Sequence, residues 1–157
     1  MPNTIRLIID TSELEGFSTS LGEALAKLQE GRTISTVLAK ELQDSTDRAF
    51  QTETDPNTGK PWPAWSLRYA KRVGAKKHKM LQDKGMAGGG LRSTIQTEIK
   101  PSQASIGSNL RYARIHQLGG GDVVPGYPAR PYLGLDEKSR GKVERKIGKL
   151  LIAAIKQ

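Results

Sequence analysis

"LRSTIQTEIKPSQASIGS", residues 91–108, is the stretch whose reading decides the fold class. Leu91, Ser93, Ile95, Thr97 and Ile99 fall on one face and polar residues on the other, the period-two pattern of a half-buried strand. "KPSQ" supplies a turn and "ASIGS" a second short strand, so the stretch reads as a β-hairpin. Working outward, "TIRLIID" near the start alternates Ile5, Leu7 and Ile9, with Ile8 the exception, and adds one more short strand.

The remaining periodic sequence is helical in pattern. Asp10, Thr11 or Ser12 offers an N-cap, and Leu21, Leu25 and Leu28 in "SLGEALAKLQ" lie at helical spacing. Gly31 punctuates, and "TISTVLAKELQDSTDRAF" sets Ile34, Val37, Leu38, Leu42 and Phe50 close to one stripe of a second helix. Pro56, Pro61 and Pro63 forbid its continuation, and Asn57 to Gly59 are turn formers. "LDEKSRGKVERKIGKLLIAAIKQ" forms a last helix with an apolar stripe of Val143, Ile147, Leu150, Leu151 and Ala154. Asp136 or Glu137 suits its positive N-terminal end. Gly141 and Gly148 each cost such a helix about 1 kcal/mol relative to alanine, so packing must hold it. The expected architecture is α+β: a small, mostly antiparallel sheet packed by an N-terminal helical pair and a C-terminal helix. No internal repeat and no second core are visible, so residues 1–157 are read as one domain.

The charge is lopsided. Residues 1–55 carry 5 Lys/Arg against 10 Asp/Glu, and residues 56–157 carry 20 against 6, within a net charge of +9. A basic balance favours contact with polyanions such as DNA or acidic protein surfaces. A bipolar one also lets the acidic half of one copy face the basic half of a neighbour. The densest run, "LRYAKRVGAKKHK" (67–79), reads as a solvated face or mobile loop, with Lys71, Arg72, Lys76, Lys77 and Lys79 as candidates to face DNA. There is no cysteine, which excludes disulfides and thiolate chemistry. No apolar run approaches the ~18 residues that span a membrane. "MPNTIRLIID" has no basic flank leading into a long apolar stretch, so no secretory signal is expected.

Catalytic patterns fail in turn. His78 and His116 are the only histidines and sit in no metal-binding spacing, so no metal and no other cofactor is expected. "DPNTGK" begins like a calcium loop, but its glycine falls one position early and the twelfth place holds no glutamate. "GMAGGGLRST" lacks the ending of a phosphate-binding loop and reads as a connector. There is no G-x-S-x-G elbow, and nothing marks one serine as a partner for His116. A lone histidine is more often structural than catalytic, so the chain is not read as an enzyme.

What remains is "RYARIHQLGGG" (111–121) and "PARPYLGL" (128–135). One helical turn would group Tyr112, Ile115 and His116, and Gly119 to Gly121 would end it. Pro128 and Pro131 stiffen the chain around Arg130. Two readings coexist: a buried turn joining sheet to helix, and a stiff surface that another protein grips.

The order "DPNTGKPWPAWS", "LQDKG…LRSTI", "IGSNLRYARIHQLGG" and "PARPYLGL", followed by a final helix, resembles the phage virion morphogenesis family. This is the tail-completion group of Mu-like and P2-like bacteriophages. The resemblance covers roughly residues 50–156. The family's motif positions fall on Pro61 and Trp62, on Tyr112, Ala113, His116, Gln117 and Gly119, and on Arg130, Pro131 and Tyr132. The chain departs from the family before the hairpin, where Asp83, Lys84 and Gly85 precede a five-residue "MAGGG".

The resemblance implies a non-enzymatic assembly part of the virion, built in the host cytoplasm and placed at the head–tail joint. Its expected partners are further copies of itself in a ring of about six, the tail tube or head connector, and DNA passing through the joint. Trp62, Tyr112, His116, Gln117, Arg130, Pro131 and Tyr132 are the expected assembly surface. The alternative is a basic nucleic-acid-binding module.

Overall fold

The computed structural model describes residues 5–10, 22, 23, 26, 32–73, 79–82 and 90–155. The architecture is α+β. Strand β1 (Ile5–Asp10) leads to helix α1 (Thr33–Thr52) and the short helix α2 (Leu67–Val73). A helical turn α3 (Gly90–Ser93) precedes β2 (Gln96–Lys100) and β3 (Gln103–Ser108). Helices α4 (Ala113–Leu118) and α5 (Glu137–Ile155) follow.

The three strands form an antiparallel sheet in the order β1-β3-β2, so the hairpin's second strand is central. Ile106 pairs with Leu7 on one side and Thr97 on the other. Ala104 and Ile106 are fully buried, and Leu7 and Ile99 pack beside them. On the opposite face Arg6 reaches across β3 to pair with Glu98. Tying the hairpin turn to the start of α1, Ser35 donates to the Pro101 carbonyl at 2.8 Å.

α1 is buried along more than one stripe because it is covered by two neighbours. Ile34, Leu38, Leu42 and Phe50 fill the core, as their spacing predicts. The flank carrying Glu41, Ser45 and Arg48 meets α5. There Lys146 donates to Glu41 Oε1 at 2.7 Å, and Arg48 grips Asp136 through two bonds of 2.7 and 2.9 Å. Asp136 also caps α5, accepting the Ser139 N–H at 2.7 Å. Val143, Ile147 and Leu151 seat α5 on the core, in the predicted stripe.

Two expectations change in detail. The hairpin's first strand begins at Gln96, not Leu91. The Ser93 and Thr94 hydroxyls donate back to the carbonyls of Gly90 and Leu91, at 2.9 and 2.8 Å, and such local bonds compete with strand pairing. Leu91 is buried by the helical turn instead. "LRYAKRV", read as a solvated face or loop, is helical. Of the first helix of the expected pair, Gly22, Glu23 and Ala26 are described and helical, whereas Leu21, Leu25 and Leu28 lie outside the described residues.

Candidate assembly site

The segment after α1 is shaped to turn Trp62 inward. Glu53 ends the helix in the left-handed conformation at φ 56°, and its carbonyl accepts the Trp62 N–H at 2.7 Å. Between them Asp55 organises the turn. Its carboxylate accepts the Asn57 N–H and the Thr58 hydroxyl, both at 2.8 Å. This answers the calcium-like reading: Asp55 is occupied as a turn former. The turn rests on Gly134, where a Cβ would come within 2.6 Å of the Asn57 side-chain amide. From the other direction the Met80 N–H, Lys79 Nζ and Gln82 Nε2 satisfy Glu53 and the last carbonyls of α1.

Trp62 then meets residues 130–133. Its indole N–H donates to the Pro131 carbonyl at 2.6 Å, and its ring lies edge-on to Phe50 at 5.9 Å. Phe50 in turn contacts Tyr132 at 5.3 Å. Tyr132 is fully buried, its hydroxyl donating to the Ala113 carbonyl at 3.2 Å. Burial pushes that phenol's pKa up, and the nearby Tyr112 adds to the shift.

Gln117 locks the two motif runs together. One amide oxygen accepts the backbone N–H groups of Tyr132 and Leu133, at 2.9 and 3.0 Å, while the amide nitrogen donates to the Leu133 carbonyl. Arg130, 4% exposed, donates through its side chain to the carbonyls of Pro63 and Ala64, and through its N–H to the His116 carbonyl at 2.7 Å. A guanidinium spent on backbone carbonyls holds loops. It is not free to bind a partner's carboxylate.

His116 closes the site. Its Nδ1 shares a hydrogen bond of 3.0 Å with the Tyr127 hydroxyl, and its ring contacts Tyr127 and Tyr112. Burial, and then the positive charge of Arg130, pull its pKa down to about 4. Burial also raises Tyr127, so at neutral pH the pair is a neutral imidazole and a neutral phenol. A base so weak is poorly matched to proton transfer near neutrality. Among the described residues no three histidine, aspartate or glutamate side chains are grouped to hold a metal ion, and no helix is long and apolar enough to cross a membrane.

The seven motif residues therefore come together, but as an internal clamp. Trp62, Arg130 and Tyr132 are buried inside the chain, Pro131, His116 and Gln117 are half-buried, and Tyr112 is exposed. Lys71 and Arg72 are exposed on α2, with Arg72 over the Tyr69 ring. Lys79 reaches the Gln51 carbonyl at 2.6 Å. Lys76 and Lys77 lie outside the described residues. Tyr127 was missed by the sequence reading, although it stands one residue before the "PARP" run.

Fold and clamp together define a small α+β part held by its own motif residues. The sequence model of the phage virion morphogenesis family matches residues 12–152, and the chain belongs to that family. The G protein of Escherichia phage Mu, named for capsid assembly, is 37% identical over 146 residues, covering 86% of this chain and 88% of the Mu protein. FluMu G protein 1, from a Mu-like prophage of Haemophilus influenzae, is 32% identical over 122 residues, covering 76% and 79%. No solved structure matches the chain significantly. The protein is a phage assembly component associated with the virion.

Proposed function

We propose that this protein completes the phage tail or neck at the head–tail joint, without enzymatic chemistry, by assembling with copies of itself into a ring. One observation carries the reading. The side chains of Trp62, His116, Gln117, Arg130 and Tyr132 close a clamp by hydrogen bonds within the chain, while Leu118, Val123 and Val124 beside it stay exposed at 64%, 79% and 38%. Exposed apolar side chains gathered on a stiff support suit docking between proteins. The ring joins the tail tube, the head connector or both. Lys71 and Arg72 on α2 are the cations placed to face DNA passing through it.

Deletion of the gene followed by imaging of lysates tests this. The expected result is filled heads lying beside separate tails. Lysates without heads would instead assign the protein to building the capsid, the role in the Mu relative's name. A salt-sensitive, ring-independent affinity of the purified chain for DNA would favour the nucleic-acid-binding alternative.

A further inference from the structure

Residues 119–126 form a closed loop. The Gly120 N–H donates to the Tyr127 carbonyl at 2.9 Å, and the N–H groups of Val123 and Val124 both donate back to the Gly120 carbonyl at 3.1 Å. A Cβ on Gly120 would sit 1.9 Å from the Val124 carbonyl oxygen, so the loop closes this tightly only with glycine there. The result is a pre-shaped knob. Val123 is 79% and Val124 38% exposed, and both follow the exposed Asp122 in the loop. A knob already held in one shape loses little entropy when it docks.

The outward face of α5 has the complementary character. Gly141, Arg145, Gly148 and Ile152 recur at intervals of four, three and four, on the side opposite Val143, Ile147 and Leu151. Ile152 is 57% exposed, and Arg145 and Lys149 are exposed cations beside it. Among the described residues a Cβ on Gly148 would meet nothing within 4 Å, so their packing gives no reason for a glycine that weakens the helix.

Resting on the self-assembly just proposed, we infer that the 119–126 knob of one copy docks on the outward face of α5 of the next. Val123 lies against Ile152 over the space left by Gly148, and Asp122 faces Arg145 and Lys149. The two surfaces differ, so the contact is head-to-tail, the kind that closes rings when the rotation allows.

The cysteine-free chain permits a direct test. Val123→Cys and Ile152→Cys are made as separate full-length proteins, mixed, treated with a short bis-maleimide and compared with each protein alone. Mass by light scattering is recorded first. The expected result is oligomers in every sample, with cross-linked dimer abundant in the mixture and lost from either protein alone. Equal cross-linking of Val123→Cys by itself overturns the head-to-tail contact. Oligomers with no cross-link beyond a Val123→Cys and Gln96→Cys control mixture overturn the docking and leave self-assembly standing. Monomers throughout, for wild type as well, overturn self-assembly and the docking with it.

Discussion

The clamp around Tyr132 joins residues 53–64, 113–117 and 130–134 through an amide, an indole, a guanidinium and backbone carbonyls. The seam between α1 and α5 does a similar job with ion pairs: Glu41 with Lys142 and Lys146, and Arg48 with Asp136. The seam's lysines are 34% and 41% exposed, whereas Glu41 is 1% exposed, so its charges meet at the edge of water. The clamp rests on no ion pair, so it should resist salt, and its sensitivity to acid is confined to His116. The seam should contribute less energy, and it yields to acid only as Glu41 protonates, below its ordinary range.

Tyr132→Ala is the severest break. It empties the space beside Phe50 and removes the hydroxyl's bond to the Ala113 carbonyl, and large-to-small changes at such sites cost about 3–5 kcal/mol. Urea unfolding measures this against Lys146→Ala, which leaves a half-exposed position. A loss from Tyr132→Ala no greater than from Lys146→Ala would reverse the ranking of clamp over seam.

The clamp's one titratable weak point is His116. Its folded pKa, about 4, lies below the ordinary 6.5, so the unfolded chain binds the proton more readily. Stability from this group is therefore full above pH 6.5 and declines as pH falls toward 4, by up to about 3 kcal/mol. Urea midpoints taken between pH 4 and 7 should slope for wild type and flatten for His116→Gln, whose amide can still bond Tyr127 but does not titrate. Parallel slopes would show that His116 is not the source. Particle yield should survive His116→Gln better than His116→Ala, which an acid–base role would not permit.

Glu41 probes the seam in a lower window. Burial works to raise its pKa, but the Lys146 bond and charge, then Lys142 and Ser139, outweigh it, and the net shift is downward from 4.5. The stabilisation is present above that value and lost as pH falls through the lower folded pKa. Glu41→Gln should cost about 1.5–3 kcal/mol at pH 7, the range for hydrogen bonds to charged groups. The gap from wild type should close as the wild-type carboxylate protonates. A gap that persists at pH 2 would mean that shape, not charge, holds the seam.

The two regions also differed in how far the sequence revealed them. The clamp's residues stand in dense runs, where glycines after Gln117 and prolines around Arg130 mark a short turn and a stiff strap. Their grouping was therefore legible. Their inward orientation was not, because it depends on carbonyls of Pro63 and Ala64 that lie 66 or more residues away. The apolar stripes of α1 and α5 were readable from spacing alone. The seam was not, since Arg48 and Asp136 are separated by 88 residues and look like ordinary surface charges until the helices pack. The alternation from Leu91 misled for a local reason: periodicity does not register hydroxyls that bond their own backbone.

The smallest expected effect separates the inner side of α5 from its outer side. The inner side is fixed by Val143, Ile147 and the Glu41 pairs, so changing the opposite face should leave the fold intact. Gly148→Ala adds a methyl group into open space and removes backbone freedom from the unfolded chain. At concentrations low enough to keep the chain monomeric, it should raise stability by about 0.5–1 kcal/mol. If a neighbour's knob lies over this position, the same methyl group should weaken assembly, read as a lower oligomer fraction by light scattering. Stability and assembly then move in opposite directions from one substitution. Were both to rise, the glycine would not be serving close approach, and the outer face of α5 would not be where the next copy docks.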